Sequence, residues 1–197
     1  MDLIQKKENT RAVVRLGSAS DRLHFNEAVK NFEELAWVYQ LGGGQSGGGR
    51  FGRGGGSSGG DFHLALDEFA KEKAKVILGS TITYKPMTRN RINLPATFAR
   101  AGCEVSLVPG NDSVFGCAAY LAEVAALIKG GMDRADALRA VTLHPARILG
   151  LGDRVGSLEK GKDANLLFLT NDPFNAMTRV EKVMIQGKIA AEGRAIQ

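Results

Sequence analysis

GMDRADALRAVTLHPARILGLGDRVGSLEKGKDANLLFLTNDPFNAMTRVEKVMIQGKIAAE, residues 131–192, is the stretch whose reading decides the fold. Asp133 stands where an N-cap is needed, with Ala135, Leu138 and Val141 on one face of the helix it would open. Pro145 then starts a second short helix, in which Ala146, Ile148 and Leu149 are the apolar positions and Gly150 is the stop. Gly156 and Gly161 punctuate a turn-rich connection to a strand over residues 164–169. After the Asn171-Asp172-Pro173 turn, Val180–Ile185 and residues 188–191 read as two strands joined in a hairpin at Gln186-Gly187.

Working upstream, short β-branched runs alternate with helical patterns. Arg11–Leu16 (RAVVRL), residues 35–41 (LAWVYQL), residues 74–79 (AKVILG) and Glu104–Val108 (EVSLV) read as four strands. After the first, Ser20 or Asp21 can cap a helix with Leu23, Phe25, Ala28, Val29 and Phe32 on its apolar face. Asp61 can cap another that runs to Lys73 with Leu64, Leu66, Phe69 and Ala70 inward. Residues 80–91 read as irregular and basic, residues 92–101 as helical, and residues 120–129 place Leu121, Val124, Ala125 and Ile128 at core spacing. Strand, helix, strand in this rhythm predicts an α/β fold with a parallel sheet and right-handed crossovers.

Composition sets the outer bounds. With 197 residues, 44% hydrophobic and 24% charged, the chain can bury the core of one globular domain. The formal charge of +5 is modest, and part of it sits on Arg50 and Arg53, so it predicts weak attraction to polyanions and no specific nucleic-acid partner. Cys103 and Cys117, both in apolar surroundings, read as buried free thiols of a reducing compartment. There is no charged-then-apolar leader and no apolar run of membrane-spanning length, so the expectation is a cytoplasmic chain without a membrane partner.

Residues 42–60, GGGQSGGGRFGRGGGSSGG, hold twelve glycines in nineteen positions. Such a stretch cannot bury enough apolar area to offset its backbone entropy, and it reads as a flexible insertion. Two functional readings stand beside that one. Gly59-Gly60-Asp61 could cradle a phosphate at a helix start, though glycine at nearly every position empties any Gly-x-Gly-x-x-Gly match of meaning. Arg50, Phe51 and Arg53 could contact RNA, but two cations and one ring give little electrostatic or stacking affinity.

The order of Thr142-Leu143-His144-Pro145-Ala146, Leu149-Gly150, Gly156-Ser157-Leu158-Glu159, Gly161-Lys162-Asp163-Ala164, Asp172-Pro173-Phe174 and Val183-Met184-Ile185-Gln186-Gly187-Lys188 resembles the C-terminal end of the amidohydrolase superfamily, the metal-dependent hydrolases of imidazolonepropionase and dihydroorotase type. The resemblance implies the second half of a (β/α)8 TIM-type barrel over residues 1–162, with residues 42–60 as an insertion. Residues 163–197 would then be C-terminal β-strands of a small sandwich. A complete barrel of this type needs about 250 residues, so the four strands would correspond to its fifth to eighth.

The same resemblance implies chemistry: hydrolysis of a carbon–nitrogen bond other than a peptide bond in a small-molecule substrate, assisted by a divalent metal such as zinc. Carried over position by position, the fifth-strand histidine falls near Leu16 and the sixth-strand histidine near Gln40 or Leu41, none of which is an imidazole. The eighth-strand aspartate has a match in Asp112 of Gly110-Asn111-Asp112-Ser113, which makes Asp112 the candidate metal ligand and general base. The chain's three histidines, His24, His63 and His144, lie on helices and lack ligand spacing, so each reads as a surface, cap or packing residue. Ser80 and Ser113 sit at strand ends with no histidine placed beside them, and neither Cys103 nor Cys117 resembles an activated thiolate.

Lys85, Arg89 and Arg91, together with Asp112, belong to the strand-end face and form a candidate substrate-binding set for an anion. These readings predict a hydrolase-family chain that is inactive alone for want of metal-binding histidines. The alternatives are a non-catalytic binding or scaffold module, or an RNA binder acting through the Gly/Arg stretch. Four parallel strands of a barrel leave two open edges, which predicts self-association or a partner that supplies an N-terminal half-barrel.

Overall fold

The computed structural model describes residues 11–29, 35–42, 61–80, 82–85, 87–109 and 113–193, with the backbone alone for Cys117 and Ala118. In chain order the elements are β1 (Arg11–Leu16), α1 (Ala19–Ala28), β2 (Ala36–Leu41), a 3-10 turn (Phe62–Ala65) leading into α2 (Leu66–Lys71), β3 (Lys75–Gly79), β4 (Thr83–Tyr84) and β5 (Arg91–Ile92). There follow α3 (Leu94–Arg100), β6 (Glu104–Val108), α4 (Val114–Lys129), α5 (Arg134–Val141), α6 (Leu143–Ile148), β7 (Leu166–Leu169), β8 (Val180–Ile185) and β9 (Lys188–Glu192).

β1, β2, β3 and β6 form one parallel sheet in that order, as the strand–helix rhythm predicts. Leu16 pairs with Leu41, Tyr39 with Val76, Val76 with Val105, and Leu78 with Leu107. Because side chains alternate along a strand, these residues share one face. All are buried in a single core with Phe62, Phe69 and Phe98 of the flanking helices. Edge-on ring contacts run through it: Phe25 against Trp37 and Tyr39 at 5.0 and 5.7 Å, and Tyr39 against Phe69 at 5.4 Å. The opposite face carries Val13, Arg15, Val38, Gln40, Ile77 and Ser106, with Arg15 Nη2 3.4 Å from Gln40 Oε1.

Strand positions follow the sequence reading closely; helix faces do so only in part, with Phe69, Val124 and Ile128 turned inward as read. α1 is capped by Ser18 and not by Ser20 or Asp21, and the face it buries carries Arg22 and Phe25, while Leu23 is 56% exposed and Ala28 is exposed. Phe32 lies outside the described residues. Asp61 makes no cap bond to its own helix. Phe62, Ala65 and Phe69 point inward there, and Leu64 outward. α4 starts at Val114, six residues earlier than its apolar spacing predicts, because Ser113 caps it through Gly116 N–H. In α5 the buried positions are Ala137 and Ala140 and not Leu138, and in α6 Pro145 is the third helical residue with Leu149 exposed. Residues 80–91, read as irregular, contain most of a small hairpin in which Thr83 pairs with Ile92 and Tyr84 with Arg91.

β7, β8 and β9 form a second, antiparallel sheet, with a β8–β9 turn at Gln186-Gly187 where both residues have positive φ (50° and 76°). That is the type I′ geometry whose twist suits a two-residue hairpin. Arg134 of α5 joins this segment to the helices through an ion pair with Asp172 and by lying 5.3 Å above the Phe174 ring. Gly42, buried at the end of β2, donates its N–H to Leu16 O at 3.0 Å. Residues 43–60, the rest of the Gly-rich stretch, lie outside the described residues. Among the described residues no helix is long and apolar enough to cross a membrane.

Candidate functional site

In a parallel sheet the strands all end on one edge, and here the loops that leave it carry the polar residues. After β1, Ser18 and Asp21 form a capping box. Asp21 Oδ2 accepts from Gly17 N–H at 2.7 Å and Ser18 N–H at 3.0 Å, and Ser18 Oγ accepts from Asp21 N–H at 3.3 Å. The Gly17 N–H, followed by the Ser18 hydroxyl, holds the Asp21 carboxyl below the usual carboxylate range. Asp61 Oδ2 accepts from Ala19 N–H at 3.2 Å, tying the segment after β2 to the start of α1. After β3, Ser80 extends the sheet by donating its N–H to Val108 O at 3.1 Å, and its hydroxyl donates to Glu123 of α4. Tyr120, three residues before Glu123 on α4, donates to Leu107 O at 2.7 Å, and burial pushes its phenol up to about 12.

The hairpin that follows β3 carries the candidate anion-binding set. Lys85, Arg89 and Arg91 are all exposed. Arg91 lies over the Tyr84 ring at 5.9 Å, a contact that fixes its guanidinium on one side of the hairpin. Lys85 N–H donates to Asn90 O at 2.8 Å, Thr88 Oγ1 donates to Lys85 O at 3.1 Å, and Asn90 N–H donates to Thr88 Oγ1 at 3.1 Å, so the tip is internally bonded. Asp112, the candidate metal ligand and general base, lies outside the described residues.

The metal that the sequence resemblance implies does not fit the described residues. Leu16 and Leu41, which stand where imidazoles would be, are 3% and 5% exposed and buried on the helix-facing side of the sheet. No group of three or more His, Cys, Asp or Glu side chains among the described residues could hold an ion. His24 is exposed on α1, His63 sits in the 3-10 turn, and His144 of α6 places Nδ1 2.9 Å from Val105 O, far along β6 from its C-terminal end. Each is held on a helix, as its sequence position predicts.

Nucleophile schemes are equally constrained. Ser80 is 1% exposed, so its bond to Glu123 links β3 to α4 and presents no hydroxyl to a substrate. Ser113 is the cap of α4. Cys103 is buried, and burial pushes its thiol up to about 11, which keeps it protonated and inert near neutral pH. The Cys117 side chain lies outside the described residues. What the edge offers chemically is therefore a positively charged, internally bonded hairpin beside a rigid row of strand ends.

Two polar residues, Arg22 buried and Asn93 half-buried, escaped the sequence reading. Arg22 is 2% exposed, paired with Glu72 at 2.5 Å and stacked over Tyr39 and Phe69 at 4.8 and 5.0 Å. Asn93 caps α3 through Ala96 N–H at 3.1 Å and donates to Leu127 O and Gly130 O at 2.8 and 3.1 Å. Asn93-Leu94-Pro95 does carry a sequence signal, an N-cap with proline just inside the helix. Arg22 carries none, because a charged residue inside an amphipathic pattern reads as solvent-facing.

Comparison with known proteins agrees with this geometry. Residues 70–190 match the amidohydrolase family. N-acetylglucosamine-6-phosphate deacetylase of Haemophilus influenzae is 56% identical over 36 residues, 18% of this chain and 9% of that protein. Adenine deaminase 1 of Carboxydothermus hydrogenoformans is 41% identical over 69 residues, 35% of this chain and 11% of that protein. Among solved structures, an amidohydrolase from Thermotoga maritima superposes with a TM-score of 0.72 at 24% identity, covering 93% of this chain and 44% of its own. The chain thus spans less than half the length of each of these proteins.

Proposed function

Because the chain belongs to the amidohydrolase family, we propose that it serves as the second-half portion of a barrel hydrolase acting on carbon–nitrogen bonds other than peptide bonds. The observation that carries this reading is the parallel β1-β2-β3-β6 sheet with its polar loops gathered on one edge, the face on which barrel enzymes build their sites. In this reading Asp112 takes the proton of the attacking water, and Lys85, Arg89 and Arg91 hold an anionic part of the substrate. The imidazoles that bind the cation come from another polypeptide, so the chain is inactive until a separate N-terminal half joins it, and self-association alone covers its open edges without supplying them.

Two features support that association. β1 and β6 each have one neighbour among the described residues, which leaves two parallel edges open. The β7-β8-β9 sheet exposes Leu167, Phe168, Ile185 and Ile189 as well, apolar surface that a partner would cover. The buried free thiol of Cys103 supports a reducing compartment, and we read the protein as cytoplasmic on that ground.

The test is co-expression with a polypeptide bearing His-x-His on a barrel strand, followed by assay against N-acetylglucosamine 6-phosphate and adenine with zinc or manganese. Release of acetate or ammonia, lost in Asp112→Asn, is the expected result. A mixture that retains no metal and turns over neither substrate would overturn the enzyme reading and favour a non-catalytic module. Light scattering on the chain alone checks self-association, which a stable monomer would exclude.

A further inference from the structure

We propose that the β4–β5 hairpin is a phosphate-binding element, with Arg89, Arg91 and Lys85 recognising the terminal phosphate of a small phosphorylated metabolite. The proposal rests on the reading of this edge as the substrate face and names the ligand class that the face takes. Three observations carry it.

The first is charge. Residues 83–92, TYKPMTRNRI, hold three cations and no carboxylate, and none of the three pairs with an acid among the described residues. Elsewhere several basic side chains find acidic partners, among them Arg22 with Glu72, Arg134 with Asp172, Arg139 with Asp136, Arg147 with Glu104, and Arg154 with Asp163, whereas this short segment gathers three that do not. A local charge of +3 left uncompensated exceeds what a single carboxylate needs. It matches a phosphate monoester, which carries close to two negative charges and three acceptor oxygens.

The second is preorganisation. Arg91 is laid across the Tyr84 ring and bonds its hydroxyl, which restrains the guanidinium without using a carboxylate and leaves its remaining N–H donors for a ligand. The hairpin tip uses its own Thr88 hydroxyl and backbone to bond itself, through Lys85 O and Asn90 N–H. The side chains of Lys85 and Arg89 are spared that work. Arginine is the residue suited to planar, two-point recognition of phosphate, and here two of the three cations are arginines.

The third is place. The hairpin springs from the C-terminal end of β3, between Gly79 and the Asn93 cap of α3, and α3 packs on β6 and the core through Leu94 and Phe98. A phosphate anchored there is held at the rim of the strand-end edge, with the rest of a small metabolite free to reach toward the row of strand ends. A base-stacking platform for single-stranded nucleic acid would need several exposed rings, and Tyr84 is the only aromatic residue in the hairpin.

Binding can be read without turnover, so the fate of this inference is separable from that of the hydrolase reading. Inorganic phosphate and glucose 6-phosphate are titrated into the full chain by calorimetry at low salt, beside glucose and a short single-stranded RNA. Saturable binding of both phosphates, no binding of glucose, and a roughly tenfold weaker affinity in Arg89→Ala/Arg91→Ala are expected, since two charge-assisted bonds are lost. Lys71→Ala/Lys129→Ala, which removes the same net charge from helices, should leave the affinity within about twofold. Circular dichroism checks that the variants stay folded. Equal weakening by both double variants, or RNA binding without saturable phosphate binding, would overturn the proposal. Phosphate binding with no hydrolysis under any complementation would leave it standing while removing the enzyme reading.

Discussion

Arg22 is the residue whose replacement tests the packing of this half-barrel most sharply. Its guanidinium is buried between Tyr39 and Phe69, pairs with Glu72, and bonds Asn26 and the Glu68 carbonyl. Arg22→Met keeps most of the stem volume and removes the charge. Two cation–π contacts are lost, each worth about 1 kcal/mol, with hydrogen bonds of similar net size. Against that loss, the variant no longer has to bury a cation, and Nε has no partner to lose. Glu72 is also left 42% exposed, able to hydrate once its partner is gone. The net expectation is a destabilisation of about 1–2 kcal/mol.

Arg22→Ala loses the same polar contacts and adds a cavity beside two aromatic rings, bringing the expected cost to about 3–4 kcal/mol. Glu72→Gln strands a buried cation with a weaker acceptor and should cost about 2 kcal/mol. Urea titration followed by circular dichroism measures all three. With a slope near 2 kcal/mol/M for a domain of this size, the midpoints should fall by roughly 0.5–1 M, 1.5–2 M and 1 M respectively. The double variant Arg22→Met/Glu72→Gln should be less destabilised than the sum, since the stranded charge is gone. The reasoning is refuted if Arg22→Met is as damaging as Arg22→Ala, or if neither moves the midpoint, because then the guanidinium is not clamped where the core places it.

Three further outcomes follow from single residues. Asn93→Ala removes the cap of α3 and its two bonds to the end of α4, and should cost about 2 kcal/mol in the same titration, with Asn93→Asp recovering only the cap. Asp21 has a lowered pKa, so the stability it contributes is present above its ordinary carboxylate range and is lost as the solution is acidified through the folded-state value. Asp21→Asn should therefore cost about 1 kcal/mol at neutral pH and flatten the acid limb of a melting-temperature profile. Cys103 has the opposite sign: its raised pKa gives a contribution complete below pH 9 and lost by about pH 11. A Cys117→Ser background should lose stability from pH 9 upward, and adding Cys103→Ala should remove the part that sets in between pH 9 and 10, leaving the loss that the buried Tyr39 and Tyr120 phenols add above pH 10, as thermal melts at stepped pH would show.

Strand positions were legible in the sequence because a strand buried on its helix-facing side reveals itself locally. RAVVRL and EVSLV match β1 and β6 residue for residue, and their β-branched runs are bounded by glycine or turn residues. The Asp133 cap and the Gln186-Gly187 turn were legible for the same reason, since each is fixed by neighbours within a few positions. Family membership was legible in the ordered pieces of residues 142–188, which lie within the matched range.

Helix faces were legible only in part, as at Phe69 and Val124. Leu23, Leu64 and Leu138 fit apolar spacing as well as the residues actually buried, and only the sheet beneath decides which stripe of a short helix turns inward. Arg22 could be placed only by structure, because its burial depends on Glu72, fifty positions away, and on two rings from other elements. The Ser80–Glu123 link is of the same kind, joining a strand end to a helix 43 positions later. The sequence by itself determined the parallel strands, their alternation with helices and the absence of imidazoles at the strand ends, since those are properties of adjacent residues. Tertiary structure alone decided which polar groups are buried, which cations are left unpaired, and hence that the hairpin after β3 faces solvent with its charge intact, because pairing and desolvation depend on distances between residues remote in the chain.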